Sequence, residues 1–209
     1  MTSDPLVAEQ PVPLFLLKAV QFPGSVIALR VFETRYIDMV RRCLRADGSF
    51  GLVAIRRGEE VGAAEPYRVG TIARIVDWAR TPEGLLGLSV RSMDRFRFES
   101  VERAPDGLYL ARGASILPSG RTPVLAAQAW ATDLLESLLE QAPPAGPDSA
   151  YESPPALDDA DSVCWNLARR LPLELSERQA LLEIDDVDRR FEQLRMSAAM
   201  LVDESEQGD

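Results

Sequence analysis

The chain has 209 residues, is 46% hydrophobic and 27% charged, and carries a net charge of −10. This is the composition of a folded domain and not of a disordered, highly charged segment. Its length suits one ordinary domain or two small lobes sharing a core. There is no histidine, which excludes an imidazole base, nucleophile partner or metal ligand from within the chain. No run approaches the ~18 consecutive apolar residues of a membrane span. The opening MTSDPLVAEQPVP has no basic residue before Lys18 and no apolar leader core. A cytoplasmic protein without membrane contact is therefore expected. In that compartment Cys43 and Cys164 are expected to be buried and reduced.

Charge divides unevenly. Residues 1–120 hold 16 Lys and Arg against 14 Asp and Glu, a net of +2, whereas 121–209 hold 7 against 19, a net of −12. An acidic second part argues against a general nucleic-acid binder, which needs a basic footprint. It reads most simply as a solvated face.

In chain order, strands are predicted at 12–17, 25–31, 49–56, 69–76, 84–91, 95–101 and 108–116, with turn chemistry at Pro23-Gly24, Asp47-Gly48, Pro82-Glu83-Gly84 and Asp106-Gly107. Short connections predict hairpins and a largely antiparallel sheet. Arg95 to Phe98 alternate, which sets Phe96 and Phe98 on one face and Arg95 and Arg97 on the other. One helix interrupts the strands. Tyr36, Ile37, Val40, Cys43 and Leu44 recur at helical spacing after Glu33-Thr34, and the helix is expected to plug one end of the barrel.

From Thr122 the period becomes helical. Thr122-Pro123 reads as a cap with proline at the first helical position, followed by Val124, Ala127, Ala131, Leu134 and Leu138. Residues 142–161 are rich in proline and acid and read as a mobile connection. A short helix through Val163, Cys164, Leu167, Ala168 and Leu171 stops at Pro172. Ser176 to Gln179 reads as a capping box for the next helix. A longer amphipathic helix carries Val187, Phe191, Leu194, Ala198 and Leu201. The expected organisation is a β-rich lobe over 1–119 and a helical lobe over 120–209.

Catalytic patterns are missing. The two cysteines have no paired-ligand spacing for zinc. No phosphate loop and no glycine-rich dinucleotide turn is present. The single lysine, Lys18, follows LFLL without a supporting nucleophile motif. The acid pairs Glu59-Glu60, Asp158-Asp159 and Asp185-Asp186 fall at predicted turns and helix starts, where carboxylates cap and solvate. No enzyme activity, cofactor or metal is expected.

The run PLFLLKAVQFPGSVIALRVFETRYIDMVRRCL (13–44) resembles the opening of the Lon protease amino-terminal domain family. FGLVAI (50–55), VGTIARI (69–75), DRFRF (94–98), LYLARGASIL (108–117) and LPLELSERQALLEIDDVDRRFEQL (171–194) follow in the family's order. The similarity extends from about 12 to 201. The chain departs from the family at Arg30, where histidine is frequent, at Thr34, where proline is common, and at Ser92, where glycine is usual. The resemblance implies an α+β fold, a PUA-like, mostly antiparallel pseudo-barrel with one inserted helix followed by a small helical lobe. It also implies a non-catalytic domain that recognises unfolded or degron-bearing polypeptides as an adaptor or sensor linked to proteolysis, with an ATP-dependent protease as a candidate partner and without the ATPase and protease domains.

A peptide site is expected to be apolar and concave, at the seam of barrel and helical lobe. Phe22, Pro23, Phe32 and Tyr36 are the candidates to line it, with Arg35 to hold a peptide carboxylate. The alternatives stay open at this point: the aromatics as ordinary core, and Arg35 paired with Glu33 or Asp38. An RNA-binding module using Arg95 and Arg97 is the rival function, although two arginines on a strand more often form a solvated face.

Overall fold

Strands buried on both faces read as unbroken apolar runs, and VPLFLL and SFGLVAI become such strands. In the computed structural model, which describes residues 10–45, 49–60, 62–142 and 151–206, β1 (Val12–Leu17) and β3 (Ser49–Gly58) lie side by side in parallel, Leu14 opposite Gly51 and Leu17 opposite Ala54. Val12, Leu14 and Leu16 enter one core and Phe15 another, as the period of two requires. The described residues divide into two compact units with boundaries after Leu117 and Ser153, so that 151–153 return to the first.

The first unit also contains β2 (Val26–Val31), α1 (Thr34–Arg45), β4 (Ala64–Pro66), β5 (Val69–Arg80), β6 (Leu86–Arg97), β7 (Ser100–Arg103), β8 (Tyr109–Arg112) and β9 (Ser115–Ile116). The strand order is β2-β6-β5-β3-β1-β8-β7, with β4 on β3 and β9 on β6. Among the described residues every strand pairing except β1 with β3 is antiparallel. β2 and β7 stand at opposite ends of the order, so the sheet curls without closing and the fold is an α+β pseudo-barrel.

One core is built by strands and the Phe98 corner: Leu14, Leu16, Val53, Ile55, Ile72, Phe96, Phe98 and Tyr109. The other forms where α1 lays Tyr36, Met39, Val40 and Cys43 against Phe15, Leu29, Val31, Phe50 and Val90. Arg42 and Arg45 close the last turn of α1, where cations complement the helix dipole.

The structure revises three strand boundaries. β5 and β6 form one long hairpin, whereas the sequence predicted a strand ending at 76 and two strands over 84–101. Its register shifts between Thr71 and Ala73 and again between Ile75 and Asp77. Such bulges interrupt alternation while preserving the strand. At Ser92 the strand continues, its N–H donating to the Ser25 carbonyl and its carbonyl accepting from Gly24 N–H. The predicted strand 108–116 is split at Gly113, which has φ +63 and lies against the Glu99 side chain. A side chain there would be strained and crowded.

The second unit holds a 3-10 turn (Ala126–Gln128) and α2 (Ala129–Glu140), α3 (Ala160–Arg170), α4 (Leu175–Glu183) and α5 (Val187–Glu206). Its core includes Ala131, Leu135, Cys164, Leu167, Leu181, Phe191 and Leu194. Both cysteines are buried thiols, not joined in a disulfide, and the Cys43 thiol donates to the Ser49 carbonyl. The helix expected from Pro123 begins later, because Pro123 forms a bridge with Asp159 and Thr122 N–H donates to the Asp159 carboxylate. The box expected at Ser176 and Gln179 is instead Glu174 with Glu177, whose carboxylate accepts from Glu174 N–H at 2.9 Å. Gln179 is buried and donates to Glu183. Of the 142–161 connection, 143–150 lie outside the described residues. Beyond them, the Ala156 N–H donates to Ser162 Oγ and Arg121 pairs with Asp158.

Candidate functional site

α1 buries one stripe, and in the neighbouring stripe at helical spacing Ile37 is half-buried against the core while Arg41 and Leu44 are exposed. Facing that stripe is the tip of the β5–β6 hairpin. Between them lies a groove of about 510 Å³, floored by Val31 and Phe32, with Ile37, Val40 and Leu44 on the helix side and Trp78, Leu85 and Leu86 on the hairpin side. Phe32, Leu44 and Trp78 are 59%, 47% and 61% exposed. They are the exposed large hydrophobic residues among the described residues of the first unit, and all three line this groove.

The hairpin wall is held by local hydrogen bonds. Thr81 N–H donates to the Leu85 carbonyl at 2.9 Å, Gly84 N–H to the Thr81 carbonyl at 2.8 Å, and Leu85 N–H to Thr81 Oγ1 at 3.2 Å. Asp77 accepts from Trp78 N–H at 2.8 Å and from the Tyr151 hydroxyl at 2.6 Å. These bonds, the tyrosine's first, hold the Asp77 carboxyl below its ordinary pKa. Arg91 donates to the Tyr151 carbonyl.

Among the described residues, the only charged ones lining the groove are Arg41 and Arg80. Arg41 is 3.1 Å from Asp38 and 69% exposed. Glu83 belongs to the same hairpin turn but does not line the groove; its carboxyl is held below the ordinary value by its own backbone N–H, then by Thr81, with a smaller contribution from the charge of Arg30.

The structure scatters the five residues proposed for a peptide site. Phe22 is in the core at 1% exposed, with its carbonyl accepting from the Ser25 hydroxyl, and Pro23 is half-buried beside it. Tyr36 is buried, stacked on Phe15 with ring centroids 4.1 Å apart, and its hydroxyl accepts from Leu16 N–H at 3.4 Å. Burial pushes that hydroxyl above the ordinary tyrosine pKa. Arg35 is 7% exposed and ties three segments together, bonding Glu33 at 2.9 Å, the Gly107 carbonyl at 2.9 Å and the Glu60 carbonyl at 3.0 Å. Phe32 lines the groove and also a smaller recess of about 220 Å³, which Tyr36, Glu33 and Glu60 share.

Leu44 and Trp78 were missed, and so was the exposure of Phe32. Its signal was present: Leu29 and Val31 are buried while Arg30 and Phe32 are exposed, which continues the alternation of β2. For the RNA alternative, the expected solvated arginine face is corrected at Arg95. That side chain is 1% exposed, so of the pair only Arg97 faces solvent. Among the described residues no three His, Cys, Asp or Glu side chains gather to hold a metal ion. No helix among them is long and apolar enough to cross a membrane.

The architecture is that of Lon amino-terminal domains. A crystal structure of a Lon N-terminal domain protein from Xanthomonas campestris superposes with a TM-score of 0.74 at 35% identity, covering 89% of this chain and 97% of that one. The N-terminal domain of Mycobacterium avium complex Lon protease shares the fold at 17% identity, with a TM-score of 0.60 over 91% of this chain and 98% of that one. The chain belongs to the ATP-dependent protease La (LON) substrate-binding domain family, whose model matches residues 11–196. Lon protease 2 of Myxococcus xanthus is 31% identical over 87% of this chain, which spans 22% of that protein. Lon protease of Xanthomonas oryzae is 27% identical over 92% of this chain, which spans 23% of it. The matched region is the substrate-binding domain and not the ATPase or the protease, so the chain contains a substrate-recognition domain of a proteolytic family.

Proposed function

We propose that the groove between α1 and the β5–β6 hairpin binds extended apolar segments of unfolded or degron-bearing polypeptides, and that the domain acts as an adaptor or sensor linked to an ATP-dependent protease. The observation that carries this reading is the convergence of Phe32, Leu44 and Trp78, all exposed, on one apolar groove. Contiguous exposed apolar surface on a folded domain marks an interaction site more often than chance exposure. The site takes Phe32 from the sequence-derived set and replaces its buried members with Leu44 and Trp78. Binding to so small a surface is weak, about micromolar.

The test is a fluorescence anisotropy titration of a labelled, uncharged apolar peptide against the full chain and its Trp78→Ala and Phe32→Ser variants. Binding that is nearly independent of salt and weakened about tenfold or more by either substitution is expected, since each removes an aromatic worth about 1.5–3 kcal/mol when fully buried. Equal binding by all three proteins would place the peptide elsewhere.

A further inference from the structure

The lining of this groove has a chemical asymmetry that apolar burial does not use. Its lining is mostly hydrophobic, and among the described residues its only ionic side chains are the guanidiniums of Arg41 and Arg80, one contributed by the helix and one by the hairpin. Among the described residues no carboxylate lines it. Asp38 engages Arg41 through a single nitrogen at 3.1 Å, an exposed pair in which Asp38 is 45% exposed. Such a pair is weak and exchangeable, and a guanidinium has five donors in a fork suited to carboxylates. Of the two acids adjacent in sequence to the hairpin wall, Glu83 is engaged by its own backbone and Thr81, and Asp77 by Trp78 N–H and the Tyr151 hydroxyl.

We infer that the groove recognises apolar segments flanked by acidic side chains, the apolar core seated against Phe32, Leu44 and Trp78 and the flanking carboxylates taken by Arg41 and Arg80. This rests on the proposed groove and adds its selectivity. The charge of the whole chain makes the inference discriminating. With a net charge of −10, long-range electrostatics favour a basic peptide. A preference for acid therefore reports local guanidiniums, whose reach in physiological salt is about 8 Å.

Three labelled peptides with one apolar core, amidated at the carboxyl terminus and flanked by aspartate, serine or lysine, are titrated against the full chain at low and moderate salt. The aspartate peptide binds about twofold to tenfold more tightly than the serine peptide, the range expected of two exposed ion pairs, and the lysine peptide binds most weakly. The preference shrinks as salt rises. In an Arg41→Gln/Arg80→Gln variant the aspartate-to-serine ratio falls close to one, while Trp78→Ala weakens all three peptides. If the peptides bind the unaltered chain equally but Trp78→Ala still weakens them, the acidic preference is overturned and the groove stands. An acidic preference that survives the double arginine variant also overturns the inference. If Trp78→Ala changes none of the three, the groove reading itself fails.

Discussion

In the helical unit the guanidinium carbon of Arg190 stands 4.2 Å from the centre of the Trp165 ring, while one of its nitrogens lies 2.6 Å from Asp161. Arg190 is 2% exposed and Asp161 16%, so this is an ion pair largely withdrawn from water between α3 and α5. Removing one partner leaves the other charge poorly compensated. Arg190→Ala is expected to destabilise by about 3–5 kcal/mol, and Arg190→Met with Asp161→Leu to recover most of the loss. Denaturant midpoints of the single and double variants test this; a double variant no more stable than Arg190→Ala would show that packing on Trp165 dominates.

Tyr36, proposed from sequence as a peptide-site residue, gives a stability prediction. Its ring stacks on Phe15 in the core, so Tyr36→Ala is expected to cost about 3–5 kcal/mol, as large-to-small aromatic substitutions do. Tyr36→Phe keeps the stack and loses only the long hydrogen bond from Leu16 N–H, about 1 kcal/mol. Peptide binding at saturation of the folded fraction should be unchanged in Tyr36→Phe. Thermal melts and anisotropy on the same samples separate the two effects.

Gly51 sits in β3 opposite Leu14, and a Cβ built there meets the Phe96 ring at 2.6 Å and Leu14 Cδ2 at 2.7 Å. Both are buried side chains of the strand-built core. Gly51→Ala is expected to destabilise by about 1–3 kcal/mol through overpacking. A companion Phe96→Leu change should return part of that loss by making room, which chemical denaturation of the two variants measures.

Asp77 carries the pH prediction. Its carboxyl is held low by the Tyr151 hydroxyl and Trp78 N–H. With a folded pKa below the unfolded one, its contribution to stability is present above the unfolded value and is lost as pH falls through the lower folded value. Carboxyl-carbon NMR titration is expected to give a midpoint below that of an ordinary aspartate, moving up in Tyr151→Phe. An unmoved midpoint would show that the tyrosine contact is not maintained in solution.

How much of this was legible in sequence depends on what each residue type reports. The run at 12–17 and the start of α1 were found because apolar spacing encodes period directly, and both are dominated by burial. The turn at Pro82-Glu83-Gly84 was found as well, but the strand residues 77–80 leading into it were not, because two register shifts in the hairpin break alternation before them. The capping box was misplaced by two residues because glutamate at 174 serves where serine is statistically preferred. The site was hardest of all. Aromatic identity marks Phe22, Phe32 and Tyr36 alike; the phase continued from β2 exposes Phe32 and that of α1 buries Tyr36, whereas Phe22 precedes β2 and has no periodic phase to report its burial.

The place of β1 in the middle of the sheet has a consequence for biosynthesis. Its two neighbours come from very different points in the chain: Leu14 pairs with Gly51 on one side, and Val12 with Ala111 on the other. A chain emerging from the ribosome must therefore hold β1 half-partnered until β8 has been made. Such non-local pairing slows folding and leaves a bare strand edge open to wrong partners in the meantime. A nascent chain stalled before residue 109 would lack the strand that covers this edge. Its persistence in an aggregation-prone or chaperone-bound state, resolved once residues 109–112 are extruded, is the signature this topology imposes on co-translational folding.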